Sequence, residues 1–94
     1  MKIVSKKIRA SARGKDCSLR VVPHCVDDLS VVFCHLNSVY RGTGIKSPDL
    51  FGVYACQYCH KELDAGHVSA EDQLRALQET QMQLAEQCLI KVAS

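Results

Sequence analysis

Phe51-Gly52-Val53-Tyr54-Ala55-Cys56-Gln57-Tyr58-Cys59-His60-Lys61-Glu62-Leu63-Asp64-Ala65-Gly66 is the stretch that decides the fold. Its first five residues are aromatic, β-branched or small, and read as a strand. From about Gln57 to Ala65 the chain reads as a short helix, with Gly66 as its C-terminal cap. Between the two sits Cys56-Gln57-Tyr58-Cys59. Two thiolates so spaced in a tight turn can face one tetrahedral zinc, with each sulfur about 2.3 Å from the metal. A redox dithiol has the same spacing, so this pair alone does not choose between them.

Upstream, Ser30-Val31-Val32-Phe33-Cys34-His35-Leu36 has the β-branched and aromatic content of a buried strand. Asn37 to Leu50, with Gly42, Gly44 and Pro48, must be a loop. The order is strand, long loop, strand, helix. Leu19 to Val22 is a further short strand candidate, stopped by Pro23. Residues 3–12 suit a short helical lead-in that Gly14 ends.

Downstream, Ser69 precedes Ala70-Glu71-Asp72 in the pattern of a capped helix start, with two acids at the positive end of the dipole. From there to about Val92 there is no Gly or Pro. Leu74, Leu77, Leu84 and Cys88 form one apolar stripe, which Ala85, Leu89 and Val92 extend. A helix over 69–92 is longer than a small core needs. Its first half is expected to pack on the core. The rest is left either to pack as well or to meet a partner, a second copy forming a homodimer.

The chain has 94 residues, 47% hydrophobic, with no Trp and only five Phe or Tyr, so one domain with an aliphatic core is expected. No run reaches the length of a membrane span. Met1 to Lys7 carries the charge of a secretory signal without an apolar stretch behind it. The reading is therefore cytoplasmic, where six cysteines stay reduced and metal binding is their leading use.

The net charge of +2 hides an asymmetry: residues 1–46 carry +6 and residues 47–94 carry −4. Seven bases fall in the first 20 residues, among them Lys6, Lys7, Arg9 and Arg13. Such a cluster can neutralise phosphates and give salt-sensitive nucleic-acid binding, or be merely a solvated terminus. Charge alone favours neither. Arg41, Lys46 and Tyr40 in the long loop are further candidates for phosphate contact.

A second cysteine pair, Cys17 and Cys25, can complete a four-thiolate site with Cys56 and Cys59. The alternative makes Cys17 and Cys25 small buried apolar residues. Structural zinc contributes roughly 10–16 kcal/mol of apparent binding energy, enough to decide whether a small domain folds. Cys34 and Cys88 are left over, Cys88 as a core residue on the helical stripe.

His35 ends the first strand, His60 begins the short helix, and Asp64 lies one helical turn further on the same face. An imidazole and a carboxylate so placed can hold a divalent cation while leaving positions open for water and phosphate. His35, from the facing strand, can then take a proton from a water that attacks a phosphodiester. The bland alternative buries both histidines with hydrogen bonds and leaves Asp64 solvated.

Cys34-His35-Leu36, Pro48-Asp49-Leu50 and Ala55 to His60 together resemble the HNH, or ββα-metal, nuclease pattern. More closely, Ala12 to Cys17, Gly42 to Asp49 and Cys56 to Asp64 are similar to the small YbcO-like prophage nucleases, over about residues 8–66. The resemblance implies a phage- or prophage-encoded endonuclease in a bacterial host, with a zinc-stapled ββα-metal fold. By motif, His35 matches the general base, His60 the metal histidine and Asp64 the second ligand. Asp49 stands where the motif usually has Asn, and a carboxylate can still orient the base histidine. Cys34 stands where many members have a metal-binding Asp or His, and a thiolate is a poor ligand for magnesium.

The expected protein is thus an α+β, zinc-stapled ββα-metal (HNH-like) domain with a long C-terminal helix. It comprises a basic lead-in over 1–16, a core over 17–66 and the helix over 69–92. It is expected to hold structural Zn²⁺ and catalytic Mg²⁺ or another divalent cation, and to act on nucleic acid, DNA before RNA, with no membrane partner. The rival is a non-catalytic, zinc-stabilised nucleic-acid- or protein-binding module, which the Cys34 departure favours. A thiol oxidoreductase comes third.

Overall fold

The computed structural model describes residues 5–26, 30–37 and 48–90. In chain order the elements are α1 (Lys6–Ala10), β1 (Val32–His35), β2 (Gly52–Ala55), α2 (Gln57–Asp64) and α3 (Ala70–Glu86). A single 3₁₀ turn, Asp49–Phe51, leads into β2. No described helix is long and apolar enough to cross a membrane.

β1 and β2 pair antiparallel, with Val32 opposite Ala55, Phe33 opposite Tyr54, Cys34 opposite Val53 and His35 opposite Gly52. Side chains alternate faces along a strand, so Phe33, His35, Gly52 and Tyr54 share one face. The Phe33 ring lies over Gly52, where a Cβ would come within 2.2 Å of two ring carbons. Only glycine permits that approach.

Among the described residues no third strand pairs with the outer edge of β2, which is met at Tyr54 by loop backbone and a side chain. The N–H of Leu36 bonds to the carbonyl of Phe51. By the alternation of an antiparallel ladder, the backbone groups of Tyr54 then point away from β1. The Tyr54 carbonyl accepts from the Ser18 N–H at 2.7 Å. The Tyr54 N–H donates to Thr80 Oγ1 at 3.3 Å, and the Thr80 hydroxyl donates to Ser18 Oγ at 3.0 Å.

The expected strand over Leu19 to Val22 does not form. Arg20 adopts a left-handed conformation (φ 48°), which breaks extended geometry there. The carbonyls of Ser18 and Leu19 accept instead from the Arg75 guanidinium at 2.8 and 2.5 Å.

Ile8 and Ala12 add to the core from ahead of the cysteines. Ser5 caps α1 by accepting from the Ile8 N–H, and Ile8 and Ala12 are buried. A five-residue helix is unstable alone, so this burial is what holds α1 in place.

α2 ends as the sequence suggests. Gly66 (φ 78°) follows the cap, and the N–H groups of Gly66 and His67 bond to the carbonyls of Leu63 and Glu62.

α3 begins with Ser69 accepting from the Asp72 N–H, but it departs from the expected stripe. Its buried residues are Ala76, Thr80 and Leu84, one turn apart, while Leu74 is 55% exposed. The pattern was hidden because its middle member is a threonine whose hydroxyl is fully hydrogen-bonded.

The helix also stops at Glu86 rather than near Val92. Cys88 takes a left-handed conformation (φ 61°) and is exposed, not core. Its N–H bonds to the Ala85 carbonyl and that of Leu89 to the Leu84 carbonyl, the pattern that usually uses glycine. Leu89 and Ile90 then turn back against the core. The large apolar side chains α3 leaves exposed are Leu74 and Met82, a different surface from the stripe end read from the sequence.

Candidate functional site

Four thiols come together. Cys17 and Cys25 come from the irregular segment before β1, Cys56 is the N-cap of α2, and Cys59 lies in its first turn. Their sulfurs all lie within 4.8 Å of one another. Tetrahedral zinc at about 2.3 Å from each sulfur needs sulfur separations of about 3.8 Å, so the set requires only a small contraction. Cys17, Cys56 and Cys59 are buried and Cys25 is half-buried. A set of four soft donors with no carboxylate is compatible with a metal such as zinc.

The protonation balance of the cluster fits the same conclusion. Burial pushes Cys56 up, but backbone N–H groups of Cys59, Val26 and Tyr58 outweigh it and bring this thiol down to about 7. Burial, then the neighbouring thiols, pushes Cys25 well above the ordinary thiol range. Cys59 is also raised, chiefly by burial. One thiolate is thus favoured beside thiols that resist ionising, the state a cation would reverse.

His35 and Asp49 form the second constellation. His35 ends β1, and Asp49, only 3% exposed, opens the 3₁₀ turn before β2. His35 Nε2 lies 2.6 Å from Asp49 Oδ1. The other carboxylate oxygen accepts from the Ser5 N–H at 2.5 Å and faces Arg9 Nε at 3.4 Å. An ionised Asp49 accepts the Nε2–H and leaves Nδ1 of His35 with its lone pair. The Phe33 ring meets the imidazole edge-on, centroids 5.5 Å apart.

His35 and Asp64 line one open cavity of about 320 Å³, together with Asn37, Leu63, Val68 and Gln73. On α2, His60 Nε2 is 3.3 Å from Asp64 Oδ2, and both side chains are solvent-accessible. Among the described residues, the four cysteines are the only convergent group of three or more metal-ligating side chains. His60 and Asp64 therefore have no third protein ligand in that set.

Cys34 does not supply one. It is buried, contacts the Val32 carbonyl, and is pushed up to about 12 by burial, with the charge of Asp64 next in effect.

Lys6, Lys7 and Arg13 are exposed and make no ion pair with a described residue. Arg9 does, through Asp49. Arg41, Lys46 and Tyr40 lie outside the described residues. Sequence reasoning placed Arg9 in a basic cluster and gave no hint of its carboxylate partner. The pairing spans 40 positions and has no local signal.

Fold and site define a small α+β protein: a two-stranded sheet flanked by helices, a tetracysteine cluster fit for a metal, and a histidine–carboxylate pair beside an open cavity. The chain belongs to the YbcO family, described as "Putative nuclease YbcO", whose sequence profile matches residues 6–93. It is similar to a protein of Enterobacteria phage 82 named "Putative nuclease ybcO", with 37% identity over 59 residues. That match covers 61% of this chain and spans 62% of the phage protein's length. It is also similar to a solved structure described as a putative bacteriophage protein from Escherichia coli K-12 MG1655. There the TM-score is 0.67 at 28% identity, covering 87% of this chain and all of that one.

Proposed function

We propose that this protein is a metal-dependent endonuclease of the HNH (ββα-metal) type. The observation that carries the reading is the 2.6 Å bond from His35 to a buried carboxylate, at the rim of a cavity that Asp64 shares. His35 Nδ1 takes a proton from water as the water oxygen bonds to the phosphorus of a phosphodiester, the P–O bond to the leaving sugar oxygen breaks, and that oxygen takes a proton from solvent. Asp49 holds the imidazole in the required tautomer and stabilises the imidazolium that forms. His60 and Asp64 hold a divalent cation, which when bound supplies positive charge against the charge developing on the phosphate. Cys17, Cys25, Cys56 and Cys59 hold a structural zinc that ties the segment before β1 to the start of α2. Lys6, Lys7 and Arg13, on α1 and the turn after it, meet flanking phosphates of the nucleic acid, and Arg41 and Lys46 add to that contact. The substrate is nucleic acid, as the name of the similar phage protein, "Putative nuclease ybcO", suggests, and DNA is the first form to test.

One observation favours a second reading. With Cys34 buried and protonated, the proposed cation has two protein ligands, which suits a zinc-stabilised binding module with a vestigial site. Cleavage assays decide between them. Wild-type protein is incubated with supercoiled, linear, branched and single-stranded DNA and with RNA, each with Mg²⁺ or Mn²⁺. Metal-dependent cleavage that Asp64→Ala shifts to higher metal concentration supports the enzyme. Binding without cleavage under every condition supports the module.

A further inference from the structure

We infer that Arg9 is a positioning residue for His35, acting through Asp49, and that α1 is therefore part of the catalytic apparatus. The inference rests on the reading of His35 as the base.

Asp49 is 3% exposed, and among the described residues it meets the His35 imidazole on Oδ1 and the Ser5 N–H and Arg9 Nε on Oδ2. A buried carboxylate is costly to ionise unless it is paired and hydrogen-bonded. Two of these groups come from α1, at its N-cap and one turn further along. α1 is held in place by buried Ile8, so the Arg9 backbone has a fixed position from which to reach Asp49.

The consequence concerns protons. The carboxylate selects the Nε2–H tautomer only while it is correctly turned, and a guanidinium facing its far oxygen helps to hold that orientation. Removing Arg9 leaves the Ser5 N–H as the partner of Oδ2 among the described residues. The imidazole then samples the other tautomer and other rotations, and Nδ1 is available for a smaller fraction of the time. Arg9 is set apart from its basic neighbours here, because among the described residues Lys6, Lys7 and Arg13 pair with no carboxylate.

Two measurements test this on the full-length, zinc-loaded protein. The first is the ring-nitrogen NMR spectrum of His35 in wild type, Arg9→Ala and Arg9→Lys. Wild type should show the Nε2–H tautomer. Arg9→Ala should shift it toward an averaged signal, and Arg9→Lys, which keeps the charge, should stay near wild type.

The second is single-turnover cleavage at saturating substrate. Arg9→Ala should lower the rate, by less than the loss of Asp49 itself, since Arg9 acts on His35 only through that carboxylate. Nucleic-acid affinity should change much less. In an Asp49→Ala background the same substitution should cost nothing further, since the carboxylate through which it acts is gone.

An unchanged His35 tautomer in Arg9→Ala overturns the proposal. So does a loss confined to affinity, or equal losses in both backgrounds, because a phosphate contact behaves in those ways. A tautomer shift in a protein that cleaves nothing would uphold the positioning role and overturn the nuclease reading instead.

Discussion

Thr80→Val separates the hydrogen-bonding role of this residue from its packing role. Valine matches threonine in shape and replaces only the hydroxyl. Thr80 is fully buried, its Oγ1 accepts from the Tyr54 N–H, and its hydroxyl donates to Ser18. The Tyr54 N–H points away from β1, so the substitution leaves it buried without this acceptor. Stranding one buried donor costs about 1–3 kcal/mol. For a domain of this size each kcal/mol lowers Tm by roughly 4–8 °C. Ser18→Ala takes the acceptor from the Thr80 hydroxyl but leaves the Tyr54 bond intact, and a hydroxyl can turn to another acceptor where a backbone N–H cannot, so it should cost less than Thr80→Val. The double variant should lose less than both single losses together, since one network is removed twice. Urea unfolding of the zinc-loaded protein, followed by circular dichroism, measures all three. A Thr80→Val protein within about 0.5 kcal/mol of wild type would refute the claim that this hydroxyl closes the outer edge of β2.

Elemental analysis of protein purified without chelators should find one zinc per chain, and serine at Cys17, Cys25, Cys56 or Cys59 should abolish it, whereas Cys88→Ser should not. Since apparent zinc binding of roughly 10–16 kcal/mol matches or exceeds the usual stability of a domain this size, a strong chelator should unfold the chain. Glu79 carries a pH signature. Burial pushes its carboxyl up, but the bonds and charges of Arg20 and Arg75 outweigh this and hold it below the ordinary carboxylate value. Its contribution is therefore present at neutral pH and is lost as pH falls through that lowered value, so Glu79→Gln should destabilise at neutral pH and progressively less as the pH is taken below the ordinary carboxylate range. Neutralising Lys6, Lys7 and Arg13 together should reduce the slope of log affinity against log salt by up to about 2.7, measured by fluorescence anisotropy. An unchanged slope would mean those bases are only solvated.

The β1–β2–α2 unit was legible because each of its signals is local. Val32 to His35 and Gly52 to Ala55 read as strands, and Gly66 and Ser69 mark helix ends by their chemistry. The cysteine cluster was legible because pair spacing restricts where four sulfurs can go. Asp49 was legible only through the family pattern, since nothing near it in sequence says that it meets His35.

What was not legible depended on tertiary partners or on unusual backbone. The strand expected at Leu19 was displaced by a left-handed Arg20 and by Arg75, 56 positions beyond Leu19. The buried stripe of α3 passes through Thr80, which an apolar count leaves out. The helix end at Cys88 lacks the glycine that would have announced it. Arg9 read as one base among several because its ion pair crosses the fold.

The central claim is that His35 is the base of a phosphodiester-cleaving site. It is tested most directly by single-turnover cleavage of supercoiled DNA by wild type and His35→Ala, each with Mg²⁺ or Mn²⁺. His35 lies outside the cysteine cluster, so the variant should keep its zinc content, fold and nucleic-acid affinity. Its rate should fall about 10²–10⁴-fold, the usual cost of losing a positioned base. Cleavage by His35→Ala at the wild-type rate, or no cleavage by wild type with any divalent metal, would contradict the account.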